Sequence, residues 1–422
     1  MKYKKFEKQS YNIYTIKTDK FKNCHMEIIF RSNINSEQDL LNNTFLVDLM
    51  SDCSNKYKNR KDMSIKLEDL YRASFYGATQ KVGSTLFTSF VFDFLNPKYA
   101  LEDDYLNNVL KFPIEVIMNP YVENDEFNIT AFNIVKNRIR TDIENIKENP
   151  TKLTINHALK AMDEDSITSF RMLGNLDMLE DITPSSLYKT YKKFMDNSVC
   201  DIFIIGDLDM DKVSKSIGAN FKLRAINNNS FKYTVENKTR KKALVQQEQA
   251  NYVQANLVEI FNLNNLTQRE SDYVFRIFNY IFGDGALNSK LMKYLREENN
   301  ICYGVSSMYL KRDNILMVQL SLDQDSIDLA VKDINKALNE MIKGEFSDLD
   351  IDEAIKAMTS SLDVSLDSQN SIFNNYIFNI YDNTPLLEDI KKNIKTVTKQ
   401  EVVKVAKKIK LNTVYSVVKG GN

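Results

Sequence analysis

The chain has 422 residues with a formal net charge of −1, and its 56 Lys and Arg are balanced by 57 Asp and Glu. That balance leaves no global field to recruit nucleic acid or a membrane surface. A single core rarely grows beyond roughly 250–300 residues, so two domains of about 200 are expected.

No apolar run approaches the roughly 20 residues of a membrane span. The N-terminal MKYKKFEKQSYNIYTI lacks the apolar core of a signal peptide, so a cytoplasmic chain is expected. Cys24, Cys53, Cys200 and Cys302 are scattered without a CxxC and read as buried, reduced thiols.

In chain order, residues 11–16 and 26–31 read as strands. Residues 35–55 form a helix with an apolar stripe of Leu40, Leu41, Phe45, Leu46, Leu49 and Met50. SIKLEDLYR at 64–72 is a second helix, and 77–94 is a turn and a strand carried by Leu86, Phe87, Phe90, Val91, Phe92 and Phe94. A helix over 105–118 is perturbed by Pro113, and a long helix over 124–147 ends at Asn149-Pro150. Residues 151–179 are helical again. Thr183-Pro184 caps a helix that precedes the buried strand VCDIFIIG.

Residues 218–245 break the pattern, and the reading is a linker over 221–245 between domains at 1–220 and 246–422. Its Arg240-Lys241-Lys242 triplet is a solvated run. Beyond it come a strand at 250–261, a helix at 268–282, the stretch GDGALNSKLMKYLREENNICYGVSSMY at 283–309, and a strand at 314–322. In that stretch Leu287, Leu291, Met292 and Leu295 recur at helical spacing, and 301–308 reads as a strand. Helices at 326–343, 347–363, 369–381 and 398–410 and a strand at 412–418 complete the chain.

The second half repeats the first. ITPSSLYKTYKKFMDNSVCDIFIIG at 182–206 matches VTKQEVVKVAKKIKLNTVYSVVKG at 397–420, pairing Thr183 with Thr398 at an offset of 215. Tyr76-Gly77 falls opposite Tyr303-Gly304. The fold expected is α+β: two homologous domains, each a mostly antiparallel sheet with helices packed on one face.

Arg296 and Tyr303 sit seven residues apart, at a helix end and a strand start. With the Gly-x-Gly turn and SKLMKYLRE, they resemble the C-terminal half-site of the pitrilysin and mitochondrial processing peptidase family of zinc proteases. The resemblance implies that the two domains form half of a clam-shell peptidase chamber. It also implies that Arg296 and Tyr303 bind substrate and stabilise the transition state. The family's zinc site is an inverted His-x-x-Glu-His on the first helix of the N-terminal domain, completed by a distal glutamate.

This chain cannot build that site. Its two histidines, His25 and His157, lie far apart and outside any motif. The positions resembling the motif hold Thr44, Val47 and Asp48, and the distal position falls near Asp142. Asp48 with Asp142 is at most a weak cation site, and solvated surface acids are the plainer reading. The chain is therefore expected to bind no cofactor, with zinc held by a homologous partner subunit that carries His-x-x-Glu-His. In this reading it is the non-catalytic, substrate-binding subunit of a heterodimeric peptidase acting on peptides, and Arg296 and Tyr303 are lent to the partner's centre. The alternative is a non-enzymatic structural or peptide-binding protein of the same fold. The bland readings are, for Arg296, a helix C-terminal cation that faces the dipole and is within reach of Glu297 or Glu298, and, for Tyr303, a half-buried strand aromatic. The strand at 83–94 is expected to offer a sheet edge to a peptide, as in the family.

Overall fold

The computed structural model describes residues 2–223, 230–285 and 288–420. Leu287 and residues 224–229 of the expected linker lie outside the described residues. The chain divides into two compact units, Met1–Glu144 with Phe170–Tyr233, and Asn145–Ser169 with Thr234–Asn422. No helix among the described residues is long and apolar enough to cross a membrane.

The first unit carries a six-stranded sheet. Its strands are β1 (Tyr3–Glu7), β2 (Tyr11–Lys17), β3 (Asn23–Asn33), β4 (Ser74–Val82), β5 (Thr85–Leu95) and β6 (Val199–Gly206). Their spatial order is β1-β2-β6-β3-β5-β4. All pairs are antiparallel except β2 with β6. One sheet face presents Met26, Ile28, Phe30, Phe90, Phe92, Ile202 and Ile204 to the helices. Those helices are α1 (Glu37–Asp52), α2 (Arg60–Asp69), α3 (Tyr105–Met118), α4 (Ile129–Glu148) and a helix over Pro184–Asn197. Each fully buried Leu, Ile or Phe contributes roughly 1.5–3 kcal/mol, so this face dominates the unit's stability. The α3 helix runs unbroken through Pro113.

The second unit has strands β7 (Leu244–Ala250), β8 (Ala255–Leu263), β9 (Val305–Leu310), β10 (Ile315–Leu322) and β11 (Ile409–Lys419), in the order β9-β10-β8-β11-β7. Only β11 with β7 is parallel. The first sheet without β1 reads β4-β5-β3-β6-β2, so the two match strand for strand, including the place of the single parallel pair. The aligned threonines match as well. Thr183 and Thr398 each N-cap a helix with a reciprocal capping box, and each helix leads into the strand at the same place in its sheet.

Two segments depart from the expected boundaries. The last two residues of the proposed linker open β7, which pairs with β11 and precedes a separate strand, β8. The segment after α4 also joins the second unit. There α5 (Pro150–Met162) lays Ala158 and Met162 on Val258, Ile260, Met317 and Tyr415, the sheet face opposite the main helical core. An amphipathic helix carries its apolar stripe in its sequence but not the identity of the sheet that will cover it.

Candidate functional site

In the first unit, Ser36 caps α1 by accepting from the Asp39 backbone amide. The three positions expected to correspond to the zinc motif are engaged otherwise. Thr44 Oγ1 donates to the Leu40 carbonyl at 2.9 Å and lies 2.8 Å from Thr79 Oγ1. Val47 is buried against β4, which comes so close that a Cβ on Gly77 would sit 2.6 Å from Val47 Cγ1 and 2.8 Å from the Val47 carbonyl oxygen. Asp48 lies one helical turn before Asp52, and both face α4.

Between these two carboxylates stands Arg138 of α4. Its Nη1 donates to Asp52 Oδ2 at 2.7 Å, and its Nη2 is 3.6 Å from Asp48 Oδ2. Arg60 approaches the other oxygen of Asp52 at 3.7 Å. Burial raises the Asp48 pKa, Arg138 opposes the shift, and Asp52 and Asp142 add to it. Burial would lower the Arg138 pKa, but the hydrogen bond and charge of Asp52, then Asp48, carry it above its ordinary value. The group opens on a cavity of about 540 Å³ lined by Asp48, Asp52, Arg60, Tyr76, Gly77 and Arg138.

Zinc does not fit these residues. There is no imidazole, both Asp48 and Asp52 are paired with a guanidinium, and no group of three or more His, Cys, Asp or Glu among the described residues could hold a metal. The lesser reading, a weak cation site on Asp48 and Asp142, gains no support from the geometry. Asp142 is exposed and acts on Asp48 only through its charge, while the contact to Asp48 comes from Arg138. Reading the sequence missed Arg138, Asp52 and Arg60. The signal available was the i, i+4 spacing of Asp48 with Asp52 and of Arg138 with Asp142. The histidines lie elsewhere: His25 pairs with Asp93 at 2.6 Å across the sheet, and His157 with Glu248 at 2.7 Å.

In the second unit the helical run broadens into π-helix over Tyr280–Asp284 and Lys293–Glu298. Wide turns of this kind recur at functional sites. The second of them carries Arg296. The chain then turns through Asn300 at φ 51° and buries Ile301 and Cys302, and Tyr303 stands 90% exposed. The strand begins only at Val305, so Tyr303 and Gly304 precede it. Tyr303 is not a half-buried strand residue. Arg296 stands in the last turn of its helix, as the bland reading has it, but among the described residues it forms no ion pair with Glu297 or Glu298. Arg296 lines a shallow depression of about 330 Å³ with Gly283, Asp284, Met292, Gly304 and Val305.

The sheet edge is also corrected. The strand expected to receive a peptide, β5, is flanked by β3 and β4, so its backbone is fully paired. The edge strand is β4, with Tyr76 half exposed on it.

Comparison with known proteins agrees with this picture. Residues 181–358 match the family model described as the peptidase M16 inactive domain. A Bacillus subtilis (strain 168) protein named "Probable inactive metalloprotease YmfF" is 23% identical over 408 residues, 95% of this chain and 94% of that protein. A conserved protein from Enterococcus faecalis V583 superimposes with a TM-score of 0.93 at 21% identity, covering 100% of this chain and 99% of the other. A peptidase M16 inactive domain from Pseudomonas fluorescens gives a TM-score of 0.80 at 17% identity, covering 100% and 98%. Residues 181–358 thus resemble an inactive peptidase M16 domain, and the whole chain, which carries no His-x-x-Glu-His motif, is similar to a relative named as an inactive metalloprotease and shares the fold of such domains.

Proposed function

We propose that the chain is the non-catalytic, substrate-binding subunit of a two-chain zinc peptidase. A homologous partner with His-x-x-Glu-His holds the zinc, which supplies the activated water. This chain supplies two groups. The Tyr303 hydroxyl donates to the scissile carbonyl oxygen as negative charge develops on it, and the Arg296 guanidinium donates to the peptide beside it. An extended peptide adds to the free edge of β4 through main-chain hydrogen bonds.

The observation that carries this reading is that both side chains are exposed and uncommitted. Among the described residues, no hydrogen bond or ion pair engages the Arg296 guanidinium or the Tyr303 hydroxyl. A residue kept for stability would be expected to touch something.

The test is to express the chain with a His-x-x-Glu-His homologue and follow cleavage of a quenched fluorescent peptide. Tyr303→Phe should lower kcat by about 10²–10³, the cost of one oxyanion donor. Arg296→Ala should lower kcat/KM with no loss of folding, since neither side chain is buried. Full activity in both variants would sink the assigned roles. A second reading, a peptide-binding or structural protein with no part in catalysis, draws on the relative named as inactive. It predicts peptide binding to the chain alone and no stimulation of any partner.

A further inference from the structure

We infer that Arg138 is a built-in cation that keeps divalent metals out of the remnant centre. This stands independently of any role for Arg296 and Tyr303, because it concerns the first unit alone. The positions expected to carry a metal ligand set have not simply lost their ligands. Asp48 and Asp52 present two carboxylates, one helical turn apart, toward α4. Arg138 meets both, at 3.6 and 2.7 Å, and Arg60 lies 3.7 Å from Asp52. Two carboxylates thus face two guanidiniums whose charges offset them, leaving only the exposed Asp142 to draw in a dication. The Arg138 side chain is one-third exposed and that of Asp52 only 16%, so solvent screens the pair weakly.

A guanidinium also outperforms a lysine in this place. Its planar fork reaches two carboxylates at once, and it stays protonated at any pH at which the protein folds. A metal could enter only by expelling Arg138, leaving a permanent positive charge unpaired beside the ion. The exclusion is therefore electrostatic and resides on α4, away from the degenerate motif on α1. It follows that restoring the motif alone will not restore the metal.

The experiment compares T44H/V47E/D48H with T44H/V47E/D48H/R138M in the full chain. Zinc per chain is measured by mass spectrometry after equilibration and desalting, with circular dichroism as the folding control. The wild type and the three-substitution protein should retain almost no zinc. Adding R138M should raise zinc affinity roughly tenfold or more, the scale on which groups around the ligands act. Stoichiometric zinc in the three-substitution protein, with Arg138 intact, overturns the proposal. Failure of both proteins to bind overturns it too, because the exclusion then does not reside in Arg138. If glutamate at the buried Val47 prevents folding, T44H/D48H with and without R138M carries the same comparison by titration calorimetry, since two imidazoles one turn apart bind zinc. Equal affinities in that pair would again count against Arg138.

Discussion

Arg138 Nη1 lies 2.7 Å from Asp52 Oδ2, an ion pair that ties α4 to α1 at the edge of the 540 Å³ cavity. Removing the arginine leaves two carboxylates one turn apart with only the exposed Arg60 nearby. R138M should destabilise the protein by about 1–3 kcal/mol, less than a fully buried pair because the cluster meets solvent. Neutralising the acids as well, in D48N/D52N/R138M, should recover most of the loss. Urea denaturation of the set checks this, and an R138M protein as stable as the wild type would count against the clamp.

The two tyrosine-glycine pairs should respond differently to alanine. At Gly77 a new Cβ would sit 2.6 Å from Val47 Cγ1 and 2.7 Å from Ser51 Oγ, so G77A must push α1 off β4. A loss of about 1–3 kcal/mol is expected. At Gly304 nothing lies within 4 Å, and G304A should change stability by no more than about 0.5 kcal/mol. Melting temperatures of the two variants decide the matter; similar losses would mean that β4 does not approach α1 as closely as described.

Glu259 of β8 is fully buried between Val318 and Val414, and among the described residues neither carboxyl oxygen has a hydrogen-bond partner. Burial pushes its pKa up to about 8, so the folded protein holds this proton at neutral pH. Its ordinary value is 4.5, so between pH 4.5 and about 8 the folded chain binds a proton that the unfolded chain has released. Stability must then fall as pH rises through that window, by up to about 1.4 kcal/mol per pH unit, and level off above it. The E259Q variant lacks this dependence. Its urea midpoint relative to wild type should be clearly higher at pH 8.5 than at pH 5.5; a constant difference would place the ionised carboxylate in a polar setting.

Glu248 of β7 accepts from Tyr415 at 2.5 Å and pairs with His157 of α5 at 2.7 Å. Its burial would raise the carboxyl pKa, but the Tyr415 and His157 bonds outweigh it and leave the pKa lowered. The stability it contributes is present above the unfolded value of 4.5 and is lost as pH falls through the lower folded value. E248A should cost about 1 kcal/mol. It should also speed amide exchange in Pro150–Met162 more than in α1, since α5 loses its polar anchor to the sheet. Uniform exchange changes across both helices would argue against a local anchor.

Much of the architecture could be read from residue order. The capping threonines 183 and 398, the matching helix–strand units and the helical stripe of α1 are local signals, and the repeat they spell is the repeat of the two sheets. That the chain has no His-x-x-Glu-His motif was equally plain, because two separated histidines cannot place two imidazoles on one helix turn. Three features needed the folded chain. A run of β-forming residues over 77–94 does not reveal that β4 is the edge and β5 the interior, since edge and interior are properties of pairing. The stripe on α5 does not name the sheet it covers. And Arg138 reads on its own helix as one surface cation among many. It meets Asp48 and Asp52, residues 90 and 86 positions earlier, only because α4 packs across α1. Periodicity and caps are short-range and survive in a sequence, whereas which charges meet is settled by long-range packing, and here that packing sets Arg138 between Asp48 and Asp52.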